Sequence, residues 1–145
     1  MENIIKELNQ FLADLNVFYR KLQNYHWNIE GRDFFVIHSK LEEYYDEVNK
    51  SIDEVAEFIL TKNEVPLGTM KDYIEITKIT EAENKKVDSD LVFQELIKDF
   101  SYLLKNVKAI KKQAENEEDD ATSALMDEFI IDYGKKLWML NQTMA

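Results

Sequence analysis

His38, Glu42, Asp53 and Glu57 are four side chains able to ligate a metal ion, set in two pairs of one-turn spacing on one amphipathic helical pattern. At about 100° per residue the four fall within an arc of roughly 100° of the helix surface. At about 1.5 Å per residue the first pair stands about 20 Å from the second, so a single chain cannot close both pairs around one ion. If two copies of the helix cross antiparallel, with a two-fold axis near Glu47 or Val48, the His38/Glu42 end of one meets the Asp53/Glu57 end of the other. The spacing therefore predicts a metal site built by a dimer interface. For Asp53 and Glu57 taken alone, the competing reading is a solvated helix face.

The chain has two histidines, and the second, His26, lies across a short turn from His38. A hairpin turning near Gly31 brings His26, His38 and Glu42 together. Imidazole nitrogen with carboxylate oxygen suits iron, manganese or zinc and lacks the soft sulfur that favours copper(I). His26 also lies on an apolar stripe, where a hydrogen-bonded core histidine is the competing reading. No Glu-x-x-His occurs, since His26 follows Gln23 and His38 follows Phe35. That argues against a di-iron centre held within one chain and moves the site to an interface.

Four long helical patterns must position these groups. The first runs from about Ile4 to Ile29 through Leu8, Leu12, Leu15, Tyr19, Leu22 and His26. Gly31 supplies a stop and Asp33 an N-cap for the second, about Phe34 to Leu60, with Leu41, Tyr45, Val48, Ile52, Val55 and Ile59 on its stripe and Pro66 and Gly68 closing it. Lys71 to Thr77 predicts a short helix in the connection. The third begins after Asp88-Ser89-Asp90 and reaches about Ala114. The fourth runs from about Asp120 to Gln142 behind the acidic turn Glu115 to Asp120. Two tight helix pairs separated by a connection of about 25 residues predict an all-α, ferritin-like four-helix bundle, with a short helix in the long connection between the second and third long helices. With 145 residues and no repeat, residues 1–145 are expected to form a single domain.

Composition excludes several classes. Cysteine is absent, which removes disulfides, thiolate zinc sites and thiol catalysis. No stretch reaches the roughly 18 uninterrupted apolar residues of a membrane span, and the first ten residues lack a signal-peptide core, so a cytoplasmic location is expected. The net charge of -11 opposes phosphate binding and suits attraction of cations. The densest basic group, Lys105, Lys108, Lys111 and Lys112, lies beside an acidic run and reads as a solvated face.

The run Asn24-Tyr25-His26-Trp27-Asn28-Ile29-Glu30-Gly31, then Phe34-Phe35-Val36-Ile37-His38, Tyr45-Asp46-Glu47 and Ile52-Asp53-Glu54-Val55-Ala56-Glu57 resembles the signature of the Dps family of mini-ferritins. The resemblance extends more loosely to Pro66 and to Lys136 through Met139. It implies a homo-oligomer, a hollow dodecamer, in which Fe(II) is oxidised by hydrogen peroxide at two-fold interfaces and stored as ferric mineral. The ferroxidase ligands it implies are His26, His38 and Glu42 from one chain with Asp53 and Glu57 from the other; the metal is iron, cycling between Fe2+ and Fe3+. The family commonly has Asp where this chain has Glu42. Trp27, beside the site, is implied to intercept oxidising equivalents, against a competing role in core packing.

Such a shell needs a hydrophilic pore. Asp120 and Asp127, with Asp119 and Glu128 flanking, are the candidates for a negative funnel around a three-fold axis; a solvated, dipole-favoured helix start is the alternative. DNA binding in the family often uses a lysine-rich tail. None precedes the first helix or follows the fourth here, so a DNA-compacting shell with little iron chemistry is the secondary reading.

Overall fold

The structure, a computed structural model, describes residues 1–145 and is all-α. The long helices are α1 (Glu2–Asn28), α2 (Phe34–Thr61), α4 (Ser89–Asn116) and α5 (Asp120–Met144), and the short helix α3 (Met70–Ile76) lies in the connection between α2 and α4. No helix is long and apolar enough to cross a membrane. The chain divides into two compact units, Leu12–Val92 and Met1–Phe11 with Phe93–Ala145.

In the unit Leu12–Val92 the apolar stripes close on one another. Leu12, Leu15, Phe18, Leu22 and Tyr25 of α1 are buried, as are Ile37, Leu41, Tyr44, Val48, Val55 and Ile59 of α2. Tyr45 and Ile52, assigned by spacing to the α2 stripe, lie half-buried on its flank, and Ile37 and Tyr44 take the core positions. The chain after α3 is tied down by a fully buried carboxylate. Asp14 accepts from the Thr77 hydroxyl at 2.8 Å and the Lys78 amide at 2.9 Å, which seats Ile79 in the core. Removing such a carboxylate would leave those donors unpaired, at a cost of about 1–3 kcal/mol. Helix α3 starts at Thr69, whose hydroxyl oxygen accepts from the Asp72 amide at 3.2 Å.

The unit of Met1–Phe11 and Phe93–Ala145 is built the same way. Ile4, Leu8 and Phe11 are buried, with Leu96, Phe100, Leu103, Val107 and Ile110 from α4 and Met126, Phe129, Tyr133 and Leu140 from α5. Phe11 meets Phe129 edge-on at 5.0 Å, a geometry that adds about 0.5–1.5 kcal/mol to the area buried.

The helix ends correct two expectations. Pro66 and Gly68 do not close α2; Asn63 does, in the left-handed region at φ 62°. Its amide bonds the Leu60 carbonyl at 2.9 Å and the Glu64 amide reaches the Ile59 carbonyl at 3.4 Å, the Schellman pattern that satisfies the last carbonyls. Glu118, at φ 56°, ends α4 by the same device, with the Asp119 amide on the Ala114 carbonyl at 2.8 Å. Asp33 occupies the N-cap position of α2 but makes no side-chain cap; its carboxylate accepts from the Ser89 hydroxyl at 2.5 Å.

Candidate metal centre

The turn between α1 and α2 is fixed from outside itself. Gly31 sits at φ 130°, a conformation L side chains rarely adopt, so glycine is needed for the reversal. The flanking residues pair with a distant segment: the Glu30 amide donates to the Val87 carbonyl at 3.0 Å and the Val87 amide to the Asn28 carbonyl at 3.2 Å. This isolated parallel bridge, together with Asp33 on Ser89, holds the end of α1 against the start of α2.

The two histidines meet there. Their rings stack with centroids 3.7 Å apart and planes 11° from parallel. His26 Nδ1 lies 2.7 Å from the His38 carbonyl oxygen, and His38 Nδ1 lies 2.7 Å from the His26 carbonyl oxygen. A carbonyl only accepts, so each Nδ1 must carry the proton and donate. In the neutral rings the lone pair then falls on Nε2, the state a metal ligand requires, and the second ring nitrogen is oriented by the backbone.

His26 is 6% exposed, so the core-histidine reading is right about burial, yet the second nitrogen of the buried ring faces an acid. Its Nε2 stands 3.7 Å from Glu42 Oε1. An ion held about 2.1 Å from each donor spans up to about 4.2 Å, so the two atoms can share one.

Tyr45 packs on this half, although spacing assigned it to the apolar stripe and not to the site. Its ring stands edge-on to His26 at 5.2 Å and to Tyr19 at 5.8 Å. Burial, followed by the neighbouring Glu42 and Asp46 carboxylates, pushes its hydroxyl above its ordinary range. The three-residue step from Glu42 on α2 was the available signal.

Asp53 and Glu57 are exposed further along α2. The hydrogen bond to Asp53 and the Asp53 charge raise the Glu57 carboxyl above its usual range. Both are solvent-exposed, as the solvated-face reading has it, and within the chain no three His, Asp or Glu side chains come together as a metal-binding group.

Trp27 is 57% exposed, which rules out core packing within the chain. It lines a cavity of about 400 Å³ with Arg20, whose guanidinium lies 6.0 Å from the indole centroid. The candidate pore acids fare unequally. Asp119 is spent as the α5 N-cap, accepting from the Thr122 amide at 3.1 Å and hydroxyl at 2.7 Å. Asp127 pairs with Lys111 at 2.8 Å, which also removes that lysine from the solvated face expected for it. Asp120 and Glu128 are exposed.

A family model described as a ferritin-like domain matches residues 5–145. The "DNA protection during starvation protein 2" of Bacillus anthracis is 37% identical over 139 residues, 96% of this chain and 94% of the relative. A solved structure of a Dps protein from Vibrio cholerae, described as a member of a broad superfamily of ferritin-like diiron-carboxylate proteins, superposes with a TM-score of 0.95 at 37% identity, covering 99% of this chain and 90% of that one. Antigen TpF1 from Treponema pallidum gives a TM-score of 0.97 at 32% identity, over 99% and 92% of the two chains.

Proposed function

Because the chain belongs to the Dps family of mini-ferritins, with the ferritin-like four-helix-bundle fold and its short helix in the long connection, we propose that it is an iron-storage ferroxidase. In this reading it oxidises Fe(II) with hydrogen peroxide in the cytoplasm, at sites shared between two-fold-related copies, and stores the ferric product inside a hollow dodecamer. The observation that carries the reading is the reciprocal bonding of His26 and His38, which leaves Nε2 of each ring as the donor, that of His26 beside Glu42.

His26, His38 and Glu42 bind Fe(II) from one chain and Asp53 and Glu57 from its partner. The carboxylates stabilise the added positive charge as each ion passes to Fe(III). Two Fe(II) ions give one electron each to one hydrogen peroxide, breaking its O–O bond and releasing two hydroxide ions. The test is anaerobic loading with Fe(II), then peroxide or air, followed through ferric absorbance. Peroxide should give the faster phase, and rates equal to a protein-free control with both oxidants would overturn the reading.

Relatives named for DNA protection do not make this chain a DNA binder. A net charge of -11 favours protection by consumption of Fe(II) and peroxide. For iron uptake we propose that Asp120 and Asp127, flanked by Asp119 and Glu128, line the three-fold pore. Lys111 compensates Asp127, so Asp120 supplies more of the field. The pair Asp120→Asn/Asp127→Asn should slow uptake several-fold at low ionic strength, the difference vanishing as salt shortens the Debye length to about 3 Å near 1 M. Stopped-flow uptake across a salt series measures it, and unchanged kinetics would move the route elsewhere.

A further inference from the structure

We propose, on the reading that places Asp120 and Asp127 at the pore, that Lys111 is a tethered counter-ion limiting iron entry. Its ammonium holds the carboxylate oxygen that an incoming Fe(II) ion would take.

Lys111 differs from the rest of its basic group. Lys105, Lys108 and Lys112 are exposed on α4, whereas Lys111 is half-buried and reaches across to α5. Its Nζ donates to Asp127 Oδ1 at 2.8 Å and to the Ser123 hydroxyl at 2.9 Å. Asp120, Ser123 and Asp127 follow one another on α5 at steps of three and four residues, so they share one face. The ammonium is therefore seated on the strip that runs between the two acids.

That placement sets what a metal ion meets there. Two of the three ammonium donors are spent on fixed oxygens of α5, so the charge stays at the strip and does not sweep through solvent. Each copy brings one such cation to the two carboxylates of Asp120 and Asp127, which halves the charge the pair presents. The lock is open to exchange, because Lys111 is 28% and Asp127 49% exposed, and an ion pair reached by water is weak. A doubly charged ion can take the carboxylate from a singly charged one. Entry at Asp127 is then a swap of Fe(II) for the ammonium, and uptake is slower than the acids alone would allow.

The test is Fe(II) uptake by the assembled protein, followed through ferric absorbance in stopped flow across a salt series. It compares the wild type with Lys111→Gln, Lys111→Arg, Lys108→Gln and Asp120→Asn/Asp127→Asn. Lys111→Gln should raise the initial rate about threefold or more at low ionic strength, the gain fading as salt screens the field. Lys111→Arg keeps the charge and should stay within about twofold of the wild type. Lys108→Gln makes the same change of net charge one turn away on the exposed face and should give a much smaller gain. An unchanged or slower rate in Lys111→Gln would overturn the inference, and so would failure of that variant to assemble, which would make Lys111 a structural tie. Equal gains from Lys108→Gln and Lys111→Gln would also overturn it, because the charge of the whole shell would then set the rate. If Asp120→Asn/Asp127→Asn takes up iron as the wild type does, the pore reading itself falls, and this inference with it.

Discussion

Replacing His38 with alanine is expected to lower the rate of peroxide-driven Fe(II) oxidation by at least about a hundredfold, because a first-row divalent ion at an N/O site loses a principal nitrogen donor. The structure separates this loss from unfolding. The His38 ring is only half-buried, and its Nδ1 bond ends on the His26 carbonyl; removing one such bond costs about 1 kcal/mol. His26 keeps its own lock, since its Nδ1 donates to the backbone carbonyl at position 38, which alanine retains. Glu42→Asp is the contrasting variant. It preserves charge and ligand type and should retain fast oxidation to within about tenfold. Stopped-flow ferric absorbance with thermal melts of each variant checks both. Equal damage from the two substitutions would overturn the carry-over of the family's aspartate to position 42.

Complementation between inactive chains is the second large effect. His26→Ala/His38→Ala and Asp53→Ala/Glu57→Ala should each be inactive as homo-oligomers. In a hybrid dimer the two interface sites differ: one carries both lesions, the other combines intact His26, His38 and Glu42 with intact Asp53 and Glu57. Random pairing makes half the dimers hybrids, each with one good site of two, so co-assembly should restore about a quarter of wild-type sites. The distance along α2 makes the outcome decisive, because no rotamer bridges about 20 Å of helix. A co-assembled sample as inactive as its parents, with mixed oligomers verified by mass, would place the site within one chain.

The fold class was legible because apolar residues at three- and four-residue steps dominate a chain with three glycines and one proline. Helix ends were legible to within about two residues even where the reason was misjudged. Asn63 and Glu118 adopt left-handed caps for which spacing pointed to Pro66 and a polar turn, since only the observed φ separates such a residue from its neighbours. The types and spacing of His26, His38 and Glu42 were readable. Their mutual lock was not, because it uses backbone carbonyls, which carry no sequence signature. Asp119 and Asp127 show the converse. Their charge was evident, but a cap and a lysine claim those carboxylates in ways that composition does not reveal.

The reversal after α1 is clamped by residues the ribosome makes much later: Asn24 bonds Asn84, 60 positions on, and Asp33 bonds Ser89, 56 positions on. Contacts of such sequence separation form after local helix and must first meet the entropy of closing a long loop. At about 5–20 residues per second, the emerging polypeptide spends several seconds with both histidines synthesised and their clamp still missing. An ion arriving in that interval meets two independently moving imidazoles. Only when the segment around Val87 has emerged does translation deliver the pair as one unit.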